Sequence, residues 1–566
     1  MLQIVSGKLF TCEPAQRNRL RGVLYTNLRL DREVSIETRA GSLLATGNLR
    51  DTKTAIYEVT ELIEDRPGPG VIASHGIEPY LNEFAAVTSF GFNVLCTPDR
   101  ELALRLMGER NTLTVSDPPK KFIRGFFESE VWSTPEDSKR FIAFVNALLG
   151  LNRKAYLSAI RAIKTYTTGL HRIADDLELA YTLLVASIES LVQGFDGHRA
   201  EWDDYDPAKR TLLDEALSGA DEAIAANVRK ALLEIEHVSL RRRFKAYSLD
   251  HVSSRYFREE AAAQESPIGR SELGSALIEA YNLRSSYIHN LQPLPRLLTY
   301  PYSFTEVVRI DRAPYLTFQG LARLARTLIL EFVDRQPKVE KEPYNYQMER
   351  PGVVQVPLSP EYWVGRSENL SPQAGRRKLE GFLEQLAGLL QKVPQAKITD
   401  MREVLRAADF LARSMRSEDR LPFLAIYHLF NPLLPAADRL KLEHLDNFAQ
   451  RLESPSVEGM IVELLLGNFG TWELQEQEAM FKRYFRERDW KNGLRIPAIM
   501  EAGLALALAE RHRSSGDVER ARELIASAVD NYPAHSGLRN FEVGFATNEV
   551  INWEDVLSGA DQNAAN

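Results

Sequence analysis

The sequence predicts a multidomain, mainly α protein: an N-terminal mixed α+β, β-rich part, a central all-α bundle, and a C-terminal α-helical, solenoid-like array. Three observations predict it. Short runs of β-branched and apolar residues, broken by turn formers, fill residues 1–130. From about residue 133, apolar residues recur at the helical spacing of three and four. Between Gln336 and Ala374, Pro337, Pro343, Pro351, Pro357, Pro360 and Pro372 interrupt that spacing before it resumes. The expected domains are 1–130, a regulatory or sensing part; 131–335, the bundle; 336–374, a proline-rich and mostly extended linker; and 375–566, the helical array.

In the first part, strands are expected over Leu2–Ser6, Gly22–Leu30, Val34–Thr38, Ala55–Thr60 and Phe92–Cys96, with Arg66–Gly70 as a loop. Thr97, followed by Pro98, is expected to cap a helix that runs to about Gly108. In the bundle, Thr134-Pro-Glu-Asp137 reads as the start of a helix to about Leu149, with a second helix over 152–175. The segment 176–193 is apolar on most of its circumference, which marks a central helix. Glu189 then sits among buried neighbours and requires a cationic or hydrogen-bonding partner. Helices follow over about 209–225 and 227–247, the second closing in Arg241-Arg-Arg-Phe-Lys245. Ser271 is expected to cap a helix carrying Leu277, Tyr281 and Ile288 as its buried stripe, ended by Leu291–Pro295. A loop of about 20 residues leads to a last helix from Thr317 to about Val333.

The array is expected to be helical to about residue 531. Segments 497–514 and 517–531 resemble one tetratricopeptide-type hairpin: Ala505, Ala509, Ala521, Ala526 and Ala528 permit close packing, and Gly516-Asp517 makes the turn. Ala560–Asn566 reads as a frayed end.

Composition removes several function classes. With 44% hydrophobic and 26% charged residues the chain is globular rather than disordered. At a net charge of -8, any nucleic-acid site must be a local basic patch. Cys12 and Cys96 are the only cysteines, which excludes a disulfide framework or a cysteine-built zinc site and fits a reducing cytoplasm. The first residues lack a signal-peptide pattern, and no run of about 18 apolar residues occurs, so a cytoplasmic location without a membrane span is expected. There is no GxxxxGK[ST] or GxGxxG pattern. His75, His237, His251, His428 and His512 lack partners at ligand spacing, and no metal or cofactor is expected. The acidic loop Glu201–Asp206 is a candidate for a hard cation or simply a solvated loop.

The most compact chemical constellation is Ala280-Tyr-Asn-Leu-Arg-Ser-Ser-Tyr-Ile-His-Asn290, with Arg284 and His289 five positions apart. That offset turns them roughly 140° apart on an ideal helix, so they share no face. They converge only at a helix end or across a subunit seam. This stretch resembles the signature helix of HEPN domains, the Apea-like ribonuclease branch in particular. Leu183-Leu-Val-Ala-Ser-Ile-Glu-Ser-Leu191 resembles the same branch's apolar helix with its glutamate, about 95 residues earlier. The resemblance covers about residues 135–335; Asn290 stands where a glycine is frequent.

The resemblance implies an all-α domain that forms a homodimer through the Arg-x4-His helices. In active members it is a metal-independent endoribonuclease, with antiphage defence or toxin-like growth arrest as its setting and tRNA among its substrates. The residue types suit that chemistry. The RNA 2′-hydroxyl is the nucleophile, His289 can move a proton near neutral pH, and Arg284 can neutralise the phosphorane. Glu189 would orient Arg284 or His289, or serve as the structural partner of a buried arginine. Ser285 and Tyr287 are candidates for phosphate contact. Arg241, Arg242, Arg243 and Lys245 are candidates to track an RNA backbone, with Phe244 stacking on a base; a solvated helix end is the alternative. Flanking domains would take a protein partner or trigger. The alternative function is a non-catalytic HEPN scaffold binding a protein, RNA or nucleotide.

Overall fold

The Thr54–Glu64 strand alternates buried and half-exposed side chains, as a half-buried strand must. It pairs antiparallel with Pro14–Thr26 over nearly its full length. Ser35–Thr38 and Gly41–Ala45 extend the sheet on one side and Cys96–Thr97 on the other. Gly41, at φ 119°, turns the chain between the first two, and a Cβ there would meet the Glu58 carbonyl oxygen at 2.6 Å. The Glu78–Phe92 helix covers the sheet, stacking Phe84 on Tyr57 with ring centroids 4.1 Å apart. The structure, a computed structural model, describes residues 1–30, 35–46, 53–64, 74–107, 118–192, 202, 205, 207–235, 240–301, 303–346, 349, 356–491, 493–546 and 548–558. Helix makes up 58% and strand 10%, so the protein is mainly α with a small N-terminal sheet.

Several N-terminal expectations are corrected. Leu2–Val5 is a buried helix rather than a strand, fixed by Gln3, whose side-chain amide donates to Leu149 and Leu151 carbonyls. The expected Gly22–Leu30 strand begins at Pro14 and breaks at Asn27. That side chain leaves the ladder to accept from Leu95 N and donate to Phe126 and Glu128 carbonyls. Phe92 ends a helix instead of starting a strand. Asp99, not Thr97, caps the Arg100–Leu106 helix by accepting from Leu102 N at 3.1 Å. Arg66–Gly70 and Gly108 lie outside the described residues.

By internal contacts the chain divides into two units, residues 1–355 and 356–566. The sheet and the helical bundle share one continuous set of buried residues from Leu2 to Val333, so residue 130 does not separate two cores. Buried Lys8 shows the join. Its ammonium donates to the carbonyls of Leu149 and Gly150, at the C-terminus of the Pro135–Gly150 helix, where the dipole favours a cation. That helix starts with the capping box of Thr134 and Asp137. Arg153–Arg172 follows. Leu177–Val192 is central, packing against Arg153–Arg172, Leu240–His251, Arg270–Asn290 and Phe318–Arg335.

Among the described residues from 207 to 251 there are three helices where two are expected: Pro207–Leu217, Glu222–Ile235 and Leu240–His251. Gly219 and Asp221, whose carboxylate accepts from Ala223 N at 2.9 Å, break the first expected helix. The basic run therefore opens a helix instead of closing one. The expected loop after Pro295 contains the Arg296–Thr299 helix and a hairpin of Val307–Ile310 with Ala313–Leu316. Its turn residues Asp311 and Arg312 both have positive φ, the geometry that matches strand twist. The second strand of this hairpin packs on Arg270–Asn290.

The residues expected as a linker are docked. Val339 N donates to the Gly150 carbonyl at 2.7 Å, and buried Tyr346 donates its hydroxyl to Glu64 at 3.1 Å. Residues 356–374 belong to the second unit, where Pro360–Tyr362 and Pro372–Ala374 form short 3-10 turns. Residues 347, 348 and 350–355 lie outside the described residues. The second unit has its own all-helical core. Its Ala498–Ser514 and Val518–Asn531 helices lie where the alanine pattern puts them, with Gly516 at φ 93° and the Asp517 carboxylate capping Arg520 N at 3.2 Å. Two further helices, Ser536–Gly544 and Trp553–Ser558, extend past residue 531, and Ala560–Asn566 lie outside the described residues. Among the described residues, no helix is long and apolar enough to cross a membrane.

Candidate functional site

The Arg270–Asn290 helix is capped by Gly269, two residues before the expected Ser271. Leu273, Ala276, Leu277 and Ala280 are fully buried and seat it on the bundle. Its last turns leave the core: Tyr281–Tyr287 are half-buried and Ile288, His289 and Asn290 are exposed. Ile288 is 47% exposed, so the expected stripe of Leu277, Tyr281 and Ile288 ends one turn early. Leu291 stops the helix in the left-handed conformation, at φ 51°; its N–H donates to the Tyr287 carbonyl at 2.9 Å, and the next N–H, of Gln292, donates to the Ser286 carbonyl at 3.4 Å. The residue that needs the left-handed region is thus Leu291 rather than Asn290.

Arg284 turns inward. Its Nη2 lies 3.0 Å from Glu189 Oε2, with the side chains 22% and 12% exposed. The guanidinium sits over the Tyr281 ring at 5.8 Å, and its Nε is buried without a hydrogen-bond acceptor. Burial raises the Glu189 carboxyl above its ordinary range; the charge of Arg284 and its hydrogen bond pull the other way. The partner that Glu189 requires by its sequence context is therefore Arg284. His289 occupies the exposed last turn, where the helix dipole favours a cation. Among the described residues it has no hydrogen-bond or ion-pair partner. Ser285 is half-buried beside Arg284 on the helix.

The basic run lies along the same helix. Exposed Arg241 donates from Nη1 to Asn282 Oδ1 at 3.3 Å, and Asn282 Nδ2 reaches Glu279 Oε2 at 3.4 Å. Arg242 is exposed, Arg243 and Lys245 are half-buried, and the Lys245 chain passes over Gly274. Phe244 is 1% exposed and packs against Tyr281 at 5.7 Å, so the expected stacking of this ring on a base is excluded: it is core. Asn282 and Glu279 are not among the residues expected at the site. Their spacing of three on the helix that carries Arg284 was the available signal.

Tyr287 faces elsewhere. It lines a cleft of about 710 Å³ with Asp175, Asp176 and Glu178. Burial raises its phenol, and the Asp176 and Glu178 carboxylates raise it further. A phosphate there meets negative charge, which disfavours the expected phosphate contact.

The acidic loop lies mostly outside the described residues, as does His237. Trp202 is described; its indole donates to both Asp214 carboxylate oxygens at 3.1 Å. His251 is stacked on Tyr247 and bonded to its carbonyl, and buried His512 lies between Glu478 and Asp517. Among the described residues, no group of His, Cys, Asp or Glu is arranged to hold a metal ion. Comparisons with protein families, with curated proteins and with solved structures found nothing that matches this chain.

Proposed function

We propose that this protein is a HEPN-type endoribonuclease that cleaves RNA, with tRNA among its substrates, by attack of the 2′-hydroxyl on the adjacent phosphate. One observation carries the reading: the two stretches that resemble HEPN motifs meet in the Arg284–Glu189 pair, while His289 stands free at the end of the same helix. In the reaction the 2′-oxygen bonds to phosphorus as its proton passes to His289, the bond from phosphorus to the 5′-oxygen breaks, and the 5′-oxygen takes a proton from water while His289 returns its own to solvent. The products are a 2′,3′-cyclic phosphate and a 5′-hydroxyl end, and no metal is used. Arg284, held by Glu189, neutralises the phosphorane, and Arg241 with its neighbours holds the flanking backbone. Because Arg284 faces the bundle and His289 faces solvent, the working site forms at the seam of a homodimer built on the Arg270–Asn290 helices. The protein acts in the cytoplasm, in antiphage defence or growth arrest. The helical second unit, with its tetratricopeptide-like hairpin, and the N-terminal sheet receive a partner or trigger.

A second reading, a non-catalytic HEPN scaffold, is favoured by the same pair: Arg284 is half-buried between a carboxylate and an aromatic ring, as a structural arginine is. Purified wild type, Arg284→Ala and His289→Ala, incubated with total RNA in chelator, separate the two. RNA cut by wild type alone supports the nuclease. RNA left equally intact by all three, with and without added partners, supports the scaffold.

A further inference from the structure

The second unit contains a cleft of about 400 Å³ lined from the Gly375–Leu390, Ser417–Phe430, Val457–Leu465 and Leu474–Glu487 helices. Arg376 and Arg483 stand on its wall, Arg488 follows the last helix, and Leu421 and Met480 supply apolar surface. Glu458 opens onto it from the first turn of Val457–Leu465, only 8% exposed.

Other buried carboxylates of this unit have partners. Glu501 accepts from Arg488 at 2.7 Å and from the Tyr484 hydroxyl at 2.5 Å; Glu463 accepts from Gln477 at 3.3 Å. Glu458 has no ion pair and no hydrogen bond from another residue among those described. Its donor is its own backbone N–H, and Arg376 acts on it only as a nearby charge. Burial holds its carboxyl above the ordinary range. A carboxyl in this position ionises at low cost only when a cation is brought to it.

The lining carries three guanidinium groups against three carboxyl groups, Glu418, Glu458 and Glu487. A ligand of zero net charge with separated charged ends keeps that balance. Arg483 gives Nε to Glu487 at 2.9 Å and Arg488 gives Nη1 to Glu501 at 2.7 Å, which does not exhaust the five donors of either guanidinium.

We propose that this cleft binds a small zwitterion, an α-amino acid with an apolar side chain. Its ammonium group pairs with Glu458, its carboxylate meets the arginine wall, and its side chain lies against Leu421 and Met480. The full-length protein is titrated with L-leucine, L-methionine and L-phenylalanine, each alongside its amide and its deaminated acid, and thermal unfolding is followed. At least one amino acid raises the Tm at millimolar concentration, and its amide and its deaminated acid do not. Glu458→Gln, which keeps the shape of the neutral carboxyl, weakens that amino acid at least tenfold. The analogue comparison on wild type needs no variant to fold. The proposal is overturned if no amino acid shifts the Tm, if the amide or the deaminated acid matches its parent, or if a folded Glu458→Gln responds as wild type does.

Discussion

Glu189 and Arg284, from different helices of the bundle, meet at 3.0 Å, and the arginine keeps a buried Nε without an acceptor. The pair therefore holds the guanidinium without using all of it. Removing one partner leaves the other charge poorly solvated, a cost reduced here because both side chains keep some exposure. A double-mutant cycle of Glu189→Gln and Arg284→Gln, read by urea unfolding, gives a coupling of about 1–2 kcal/mol. A coupling near zero means the pair contributes nothing to holding Arg284.

The pH dependence of this pair has a definite sign. The Glu189 carboxyl is raised in the folded state, so above its ordinary value of 4.5 the folded chain binds more protons than the unfolded one. Its contribution to stability is fully present below that value and declines as pH rises through the folded one. The difference in unfolding free energy between wild type and Glu189→Gln should fall from pH 4.5 upward. A flat difference between pH 4 and 7 contradicts this.

His171 works in the opposite direction. Burial, helped by the charges of Arg172 and Arg105, lowers its pKa to about 4 from 6.5. Between those values the unfolded state takes up the proton first, so acid destabilises the fold over that window, by on the order of 2 kcal/mol. His171→Phe should flatten the stability profile from pH 6.5 to 4. An unchanged slope rejects the assignment.

Leu291 ends the Arg270–Asn290 helix at φ 51° and is 74% exposed. A non-glycine residue pays roughly 1–2 kcal/mol in that region, and little burial is lost on truncation. Leu291→Gly should stabilise the protein by about 0.5–1 kcal/mol after the added freedom of the unfolded chain is counted. A loss of stability in thermal unfolding would place Leu291 in a contact, such as a subunit seam, that glycine cannot make.

Arg241 is exposed and donates to Asn282 at 3.3 Å, and it carries the proposed contact to an RNA backbone. Arg241→Ala should weaken RNA binding evenly across sequences and lower the slope of log K against log salt by about 1. An unchanged slope assigns the basic run to a solvated helix end.

The parts of this fold that were legible are those where local chemistry decides. Thr134 with Asp137, Thr317, and Gly516-Asp517 announce helix boundaries through their own hydrogen bonds, and the structure keeps all three. The need of Glu189 for a partner was also legible, because burial and charge together demand one. What escaped depends on distant residues. Leu2–Val5 is helical because its side chains are buried against the Thr54–Glu64 strand and the Glu78–Phe92 helix and Gln3 reaches the Leu149 and Leu151 carbonyls, not because of its composition. Phe244 looks like an aromatic in a basic run, yet Tyr281 on another helix makes it core. The acidic surroundings of Tyr287 come from residues 175–178, far away in the chain.

If Arg284 and His289 are a nuclease pair, RNA ends record it. Sequencing those ends, with cyclic-phosphate capture, from cells expressing wild type or His289→Ala at equal levels should find new 2′,3′-cyclic phosphate and 5′-hydroxyl ends with wild type and their loss with the variant. Ends that are identical in the two, or equal to those in cells lacking the protein under every activating condition tried, contradict it.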